Sequence, residues 1–548
     1  MKIVLISTDS LISHGIRNIS AYLKQHQHEV TCIFMARWEY YLNLRYDQFI
    51  KKDFSEIKKI VSNHDLIGIS CTSFNYYHAI HLKNQLEELN KIIVLGGTHA
   101  TLHPEESLKY FDNICIGEGE EAFLDFVNRI EHKLNIYDTP NFWFKKNNQI
   151  IKNKLRPLIE NMDSLPVPDF EFFKHYLFNG DKLIKLLPDH FKEIHYYGIY
   201  GCPHNCYFCG NLSIYKAFTN EECKRKKIRK KSIEKVLEDL KIISLKFPPQ
   251  LPVIFNDATF FIRSISEFEY FVKEYKKYIN RGLTVYTSPK TFTEKKFKLL
   301  TEAGLNTIEM GIQTGSENIN IKIYNRNIKN KEIEEKTKII NRYKDKLKYP
   351  PIYDIIIRNP YENKIDKLET LKLLHRLPKP YVLLPFNLTF FPGTVLFKKG
   401  LSDGLIKSLE DQLKYLNEEI IFLLDIDFKK EIISIDDVIT IMRRRVDQNF
   451  YGILYSELID QFINRNIEQI PSKIKVIIPD NLVQLIKNKI PKEKDFLTQL
   501  YILRIVTFLR EIPEETNEEI PVLSSSLENY NFTIKMLSDY SSYYSGKS

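Results

Sequence analysis

The chain has 548 residues, 43% hydrophobic and 27% charged, with a formal charge of +9 from 79 basic and 70 acidic side chains. That composition is ordinary for folded domains, is long enough for roughly two to four cores, and excludes a disordered or collagen-like chain. The basic excess is small and spread along the sequence, so it is not read as a nucleic-acid signal.

No uninterrupted apolar run reaches about 18 residues, so no membrane span is expected. The start, MKIVLISTDS, turns polar after a short apolar run and reads as a first strand rather than a leader. Seven cysteines, three of them clustered, do not make a disulfide framework and point to a reducing cytoplasm. Cys32, Cys71, Cys115 and Cys223 read as structural, and no cysteine follows Cys223.

Along the first 130 residues, apolar strands alternate with helical patterns. MKIVLIS, HEVTCIF, DLIGISC and KIIVLGG are strands, separated by helical spacing at Ile16–His26, Phe54–Asn63 and His78–Leu89. NICIGEGEEAFLDFV is a short strand running into a helix. This alternation predicts a doubly wound parallel sheet, whose ligands bind outside the carboxyl ends of the strands. Gly96-Gly97 and Gly117-Glu118-Gly119 fall there.

Leu155-Arg156-Pro157 and Leu165-Pro166-Val167-Pro168-Asp169 disfavour helix, so residues 141–190 are expected to be a linker. From 191 a second series begins, with EIHYYGIY, PVIFND, LTVYTS, TIEMGI, YDIIIR and LLPFNL as six strands. Helical patterns such as Lys231–Leu245 and Thr293–Ala303 separate most of them. Six such units predict a partial parallel barrel with its site at the strands' carboxyl ends. The fold class is therefore α/β: a Rossmann-like domain over 1–140, a linker over 141–190, a partial (β/α)6 barrel over 191–395, and a mostly helical region over 396–548. In that last region Ser434-Ile435-Asp436-Asp437 resembles a capping box, Phe496–Leu509 reads as a helix, and the tail SDYSSYYSGKS reads as mobile. Phe450, Tyr451, Tyr455 and Tyr501 either pack in its core or line a substrate pocket.

The segment that carries chemistry is Gly201-Cys202-Pro203-His204-Asn205-Cys206-Tyr207-Phe208-Cys209-Gly210, with C-x3-C-x2-C spacing after a strand. Three thiolates on one loop can hold an iron–sulfur cluster while leaving one iron open to an outside ligand. The competing reading is a zinc knuckle, which needs a fourth protein ligand; His204 and Cys223 are the available residues.

With an aromatic, Phe208, before the last cysteine, this loop resembles the signature of the radical S-adenosylmethionine (SAM) superfamily. The resemblance implies a [4Fe-4S] cluster on Cys202, Cys206 and Cys209, with SAM chelating the open iron. It also implies SAM contacts at Phe208, at Asp257 in FNDATF, at Gln313 in GIQTGS, at Arg326 in YNR and at Ile355 in YDII. Taken singly, Asp257 reads equally as a loop cap, Gln313 as a strand-end polar group and Arg326 as a solvated helix charge. Arg358 stands where that family usually has a glycine, a departure at the turn around Asn359-Pro360.

The first domain has a resemblance of its own. Gly96-Gly97-Thr98-His99 and Gly117-Glu118-Gly119 look like the cobalamin-binding domain of the cobalamin-dependent radical SAM enzymes, over roughly residues 1–400. Tight turns are the bland alternative for the glycines. The D-x-H-x-x-G segment that supplies a cobalt ligand in many cobalamin proteins is absent; Asp9 and His14-Gly15 lack its spacing. His99 and His103 read as loop residues rather than cobalt ligands, which implies a lower face free of histidine and a readily surrendered methyl group.

The resemblance implies a methyltransferase acting on an unactivated carbon, in which a 5′-deoxyadenosyl radical abstracts a hydrogen and the substrate radical takes a methyl group from cobalamin. The alternatives are a cobalamin-dependent rearrangement or cyclisation without methyl transfer, a radical SAM enzyme whose first domain does not bind cobalamin, and a non-catalytic cluster protein. The expected partners are a small-molecule or peptide substrate and an electron donor such as flavodoxin or ferredoxin. The absence of cysteines after Cys223 speaks against an auxiliary cluster.

Overall fold

Runs rich in Ile, Val and Leu form five short strands: β1 (Lys2–Ser7), β2 (Glu29–Met35), β3 (Leu66–Ser70), β4 (Ile92–Gly96) and β5 (Asn113–Cys115). All five are parallel and stand in the order β5-β4-β3-β1-β2. Continuous apolar runs suit such strands because both faces are covered. Ile3 and Leu5 pack with the helices His14–Gln25 and Glu120–Glu131 on one face. Val4 and Ile6 pack with the helices Ser55–Val61 and Tyr76–Leu86 on the other. The chain leaves β1 for opposite neighbours β2 and β3, so a topological switch point lies at their carboxyl ends. The computed structural model describes residues 1–35, 49–180, 182–218, 228–418, 475–477 and 519–521.

The segment 141–190, expected as a linker, instead completes this sheet. β6 (Phe142–Lys146) and β7 (Gln149–Lys152) form a hairpin beside β5, and β8 (His175–Phe178) and β9 (Leu183–Lys185) extend the opposite edge beside β2. Asn147 and Asn148, with φ of 49° and 61°, make the two-residue turn between β6 and β7, the asparagine chemistry that tight hairpins favour. The proline-bearing stretch between β7 and β8 contains no strand, as its composition implies.

Asp169 ends that stretch and ties it to the first domain. Its carboxylate accepts from Ser20 Oγ at 2.5 Å and His175 Nε2 at 3.1 Å, and pairs with Lys24 Nζ at 2.8 Å. Arg17 donates to the backbone oxygens of Asp169 (2.8 Å) and Leu11 (2.7 Å) beneath the rings of Phe34 and Phe170. Burial works to raise the Asp169 pKa, but His175 and Lys24 overcome it and hold the carboxyl well below its usual range. Cys32 lies beside Asp169 and His175, close enough for the three to share a metal ion. Burial pushes the Cys32 thiol up to about 12. The Lys24 ammonium already neutralises Asp169, so the cluster is a structural ion-pair network.

The second domain is a six-stranded, wholly parallel sheet in the order β10 (Ile194–Tyr196), β13 (Val253–Phe255), β14 (Leu283–Thr287), β15 (Leu305–Gln313), β16 (Ile352–Ile357) and β17 (Val382–Asn387). Helices Ile233–Ser244, Ile265–Tyr278, Glu294–Glu302, Asn330–Arg342 and Lys364–Arg376 connect consecutive strands. EIHYYGIY is not one strand. It breaks at Tyr197-Gly198, and β11 (Ile199–Tyr200) leaves the barrel to pair antiparallel with β12 (Arg229–Lys230).

After the barrel, helices Val395–Ser402 and Leu409–Glu418 follow, and Leu409 and Leu413 of the second pack on the first domain. Lys475–Ile477 and Glu519–Pro521 form a short parallel pair. The expected capping box at 434–437, the helix at 496–509, the tail, the aromatics Phe450, Tyr451, Tyr455 and Tyr501, and Cys223 lie outside the described residues. Cys32, Cys71 and Cys115 are buried free thiols. Among the described residues, no helix is long and apolar enough to cross a membrane.

Removing the Asp169 charge leaves the buried His175 without its anionic partner and Lys24 with only the more distant Glu171. Asp169→Asn is expected to destabilise the fold by about 3 kcal/mol in denaturant titrations near neutral pH. Because the folded pKa lies below the ordinary 3.8, this contribution is present above that value and disappears as pH falls through the folded pKa.

Candidate functional site

The three cysteines follow β11 directly, on a half-buried loop held at several points. Tyr207 N–H donates to the Tyr324 carbonyl at 3.1 Å, and Leu396 N–H to the Tyr207 carbonyl at 2.9 Å. Asn325 Nδ2 donates to the Asn205 carbonyl at 3.0 Å. Phe208 meets Tyr324 edge to face, with centroids 5.1 Å apart. Burial pushes the Cys206 thiol up to about 11 and raises that of Cys209, with Arg326 working against both shifts. These buried sulfurs demand a cationic centre to be held as thiolates, and the soft three-thiolate set is the donor chemistry of an iron–sulfur cluster. His204, the inserted histidine of the zinc-knuckle reading, has its Nε2 2.7 Å from Ser288 Oγ at the end of β14.

Strand alternation decides which expected SAM residues face the barrel interior. On β15, Ile308, Met310 and Ile312 join the helix-facing core, so Glu309, Gly311 and Gln313 point inward. Gln313 stands at φ 76°, beyond a register shift between β15 and β16. A Cβ on Gly311 would fall 2.6 Å from Gln313 Nε2, so glycine is needed for that amide to fold back along the strand. On β16, Tyr353, Ile355 and Ile357 belong to the helix-facing core. Ile355 is therefore a packing residue rather than an adenine contact; Ile356, one residue on, packs with Phe208 and Tyr324.

Asp257 follows β13, and its Oδ1 accepts the N–H groups of both Gly198 and Ile199 at 2.8 Å. Its Oδ2 is buried without a hydrogen-bond partner. Burial pushes its pKa up to about 6 against the pull of Arg263 and the two backbone donors. An orphaned buried acceptor beside the cysteine loop fits a ligand ammonium group. Arg326 differs from expectation: its two terminal nitrogens donate to the carbonyls of Ile312 (2.9 Å) and Gly311 (2.8 Å), and it lies against Cys206. It serves the cysteine loop as a fixed cation rather than reaching out to a carboxylate. Asp354 lies near Arg326 and shares a hydrogen bond with Glu309. Burial pushes Asp354 up to about 7 and raises Glu309 well above its usual range. Neither acid was singled out from the sequence, although a charged residue at an inward position of an apolar strand is the signal that marks both.

At the switch point of the first domain, Asn75 Nδ2 donates to the Thr8 carbonyl (3.1 Å) and Asp9 Oδ1 (3.0 Å), joining the loops after β1 and β3. Gly97 stands at φ 96°, where a Cβ would meet the Cys71 carbonyl at 2.5 Å, whereas a Cβ on Gly96 would meet nothing within 4 Å. Thr98 is exposed beside them. This open, glycine-floored edge at the strands' carboxyl ends is a cradle that fits a corrin. His99 is fully buried, stacked on Tyr76 at 3.8 Å with Nδ1 on Ser73 Oγ, so it packs beneath the loop rather than entering the site.

In the Gly117-Glu118-Gly119 turn, the Gly117 N–H donates to Thr101 Oγ1 at 3.0 Å. Glu118 and Gly119 depart from the expected cobalamin contact. The Glu118 carboxylate pairs with both terminal nitrogens of Arg229 and accepts the Ile159 N–H. Gly119 packs against Ile19, which a Cβ would approach to 2.6 Å.

The B12 binding domain family matches residues 3–127 and the radical SAM superfamily matches residues 196–374. The chain belongs to the radical SAM enzymes that carry a B12-binding domain, and its cofactors are a [4Fe-4S] cluster, SAM and cobalamin. An uncharacterised methyltransferase of Pyrococcus horikoshii is 23% identical over 367 residues, covering 65% of this chain and 74% of that protein. The bacteriochlorophyllide d C-8(2)-methyltransferase of Chlorobaculum tepidum is 23% identical over 360 residues, covering 64% and 72%. Among solved structures, the radical SAM methyltransferase TsrM of Kitasatospora setae aligns with a TM-score of 0.57 at 12% identity, over 73% of this chain and 76% of that one. The cobalamin-dependent radical SAM enzyme OxsB aligns at 0.53 and 15% identity, over 93% and 71%. These structural likenesses establish a shared fold.

Two outcomes test this geometry. Cys202→Ala, Cys206→Ala and Cys209→Ala together are expected to abolish iron binding on anaerobic reconstitution, while His204→Ala keeps it; loss of iron from the histidine variant alone contradicts the three-thiolate assignment. Burial and then the neighbouring Glu118 push Glu120 up to about 7 from 4.5. The folded state thus holds the Glu120 proton more tightly, and the stability this gives is full below 4.5 and lost as pH rises towards 7. Glu120→Gln is expected to gain on the order of 2 kcal/mol over the natural chain near pH 8 and nothing once the pH falls below 4.5, by melting curves.

Proposed function

We propose that the protein is a cytoplasmic cobalamin-dependent radical SAM methyltransferase that places a methyl group on an unactivated carbon of a small-molecule or peptide substrate. The observation that carries this reading is the ribbon β11–β12, which starts the cysteine loop and is bonded directly to the cobalamin-binding domain through Tyr200 and Arg229. It supports a radical-generating site and a methyl-carrying site facing one substrate, and the methyltransferase names of the Pyrococcus and Chlorobaculum relatives agree with it. When bound, the reduced cluster with SAM supplies a hydrogen-abstracting carbon radical, and the corrin supplies the methyl group.

The chain's own residues do the rest. Cys202, Cys206 and Cys209 hold the cluster, and Arg326 balances their negative charge. Asp257 offers Oδ2 to the SAM ammonium, and Gln313 lies along the same inner wall. Phe208, Tyr324 and Ile356 form an apolar patch beside the cysteine loop that keeps water from the reacting centre. Gly96, Gly97, Thr98 and Gly117 border the corrin. Glu309 and Asp354 hold a proton between them inside the barrel. A reduced flavodoxin or ferredoxin supplies the electron.

The test is anaerobic reconstitution with iron, sulfide and cobalamin, followed by turnover of a substrate panel with SAM labelled in its methyl group. One S-adenosylhomocysteine and one 5′-deoxyadenosine per labelled, methylated product is the expected result. A rearranged or cyclised product without label, formed together with 5′-deoxyadenosine, overturns methyl transfer.

A further inference from the structure

The short ribbon ahead of the cysteine loop is bonded to both domains. On the barrel side, Asp257 Oδ1 holds the N–H groups of Gly198 and Ile199, and Arg263 donates to the Gly198 carbonyl at 3.3 Å. On the other side, Tyr200 and Arg229, directly paired across the ribbon, both reach into the first domain. Arg229 takes Glu118 and the Ile159 carbonyl. The Tyr200 hydroxyl lies 3.0 Å from His14 Nε2 and 3.1 Å from Asn18 Nδ2.

The proton assignment follows from chemistry. Asn18 Nδ2 can only donate, so it fills a lone pair of the Tyr200 oxygen, and the phenolic proton goes to His14 Nε2. That requires a neutral imidazole. Burial, then Lys231 and Arg17, push His14 down to about 3, so it is neutral at any working pH. The His14 ring also packs on Tyr197 at 4.6 Å. His14 opens the helix after the β1 loop, at the carboxyl edge where the corrin belongs, and Tyr200 stands two residues before Cys202. One hydroxyl thus connects the floor of one cofactor site to the root of the other.

We propose that Tyr200 is a positioning residue: its hydroxyl, held by His14 and Asn18, fixes the separation and orientation of the cluster relative to the corrin, and so couples SAM cleavage to methyl transfer. The inference rests on the two-cofactor reading above. Removing the hydroxyl leaves the thiolates, the corrin loops and the Glu118–Arg229 pair intact. The ribbon is then hydrogen-bonded to the first domain through Arg229, without the second tether, and cleavage and transfer fall out of register.

The experiment uses the holoenzyme with its cluster reduced and its cobalamin in the paramagnetic cob(II) state, so that the spin–spin interaction reports the distance between them. In Tyr200→Phe the distance distribution is expected to broaden or shift, with iron and cobalamin contents at the levels of the natural chain. The 5′-deoxyadenosine formed per methylated product is expected to rise several-fold. Asn18→Ala is expected to move both readouts in the same direction, and the double variant no further than Tyr200→Phe alone, because the two groups share one bond. An unchanged distance distribution in Tyr200→Phe overturns the proposal, as does full additivity in the double variant. If the natural chain methylates nothing, the methyltransferase reading fails, and the spin–spin measurement still decides the role of Tyr200.

Discussion

A single carboxylate oxygen decides where the first barrel strand stops. Asp257 Oδ1 collects the N–H groups of Gly198 and Ile199, which a longer β10 would have given to β13. Deprived of that partner, the chain turns out of the sheet, pairs with β12 and enters the cysteine loop at Gly201, where φ is 98°. The loop's position, its outward aim and the contact with the first domain all follow from this early termination. It also explains why one Asp257 oxygen is filled: Oδ1 is committed to the two backbone N–H groups, and Oδ2 is buried with no hydrogen-bond partner.

The electrostatics around the sulfurs follow one logic. Burial disfavours thiolates at Cys206 and Cys209, and Arg326 is the fixed cation beside them. An arginine there would itself be costly in a low-dielectric interior, so two strand carbonyls receive its N–H groups and the Asp354–Glu309 pair lies behind it. Two carboxyls that close cannot both ionise cheaply, which leaves about one negative charge facing one positive charge. The charges around Arg326 are thus close to balanced, and the buried thiols need a cationic centre to be held as thiolates.

The features legible in the sequence were those carried by neighbours along the chain. The C-x3-C-x2-C loop is local, and the parallel strands declare themselves as apolar runs because both their faces are covered, so both classes survive into the structure. What escaped were contacts between distant segments. Glu118 finds Arg229 111 positions away, and Tyr200 finds His14 186 positions away; no spacing rule reaches that far. The edge strands β6 to β9 were hidden for another reason: they are short, and β7 and β9 are largely uncovered, so their patterns are too polar to stand out from the prolines between them. Ile355 shows the limit of motif matching, since only the period-2 alternation of β16, with Asp354 inward, tells it from Ile356.

The same contacts bear on the cobalt's lower face. The three histidines nearest the switch point each have another task. His14 receives the Tyr200 proton, His99 is buried under Tyr76, and His103 sits against the turn at Pro392-Gly393 that follows the barrel's last strand. Moving His99 outward would break its hydrogen bond to Ser73 and open a void beneath Tyr76, and moving His14 would cut the link to the cysteine loop. Histidine ligation of the cobalt therefore competes with packing in one case and with domain docking in the other. The missing D-x-H-x-x-G spacing is thus matched by a different use of His14, whose Nε2 faces the Tyr200 hydroxyl.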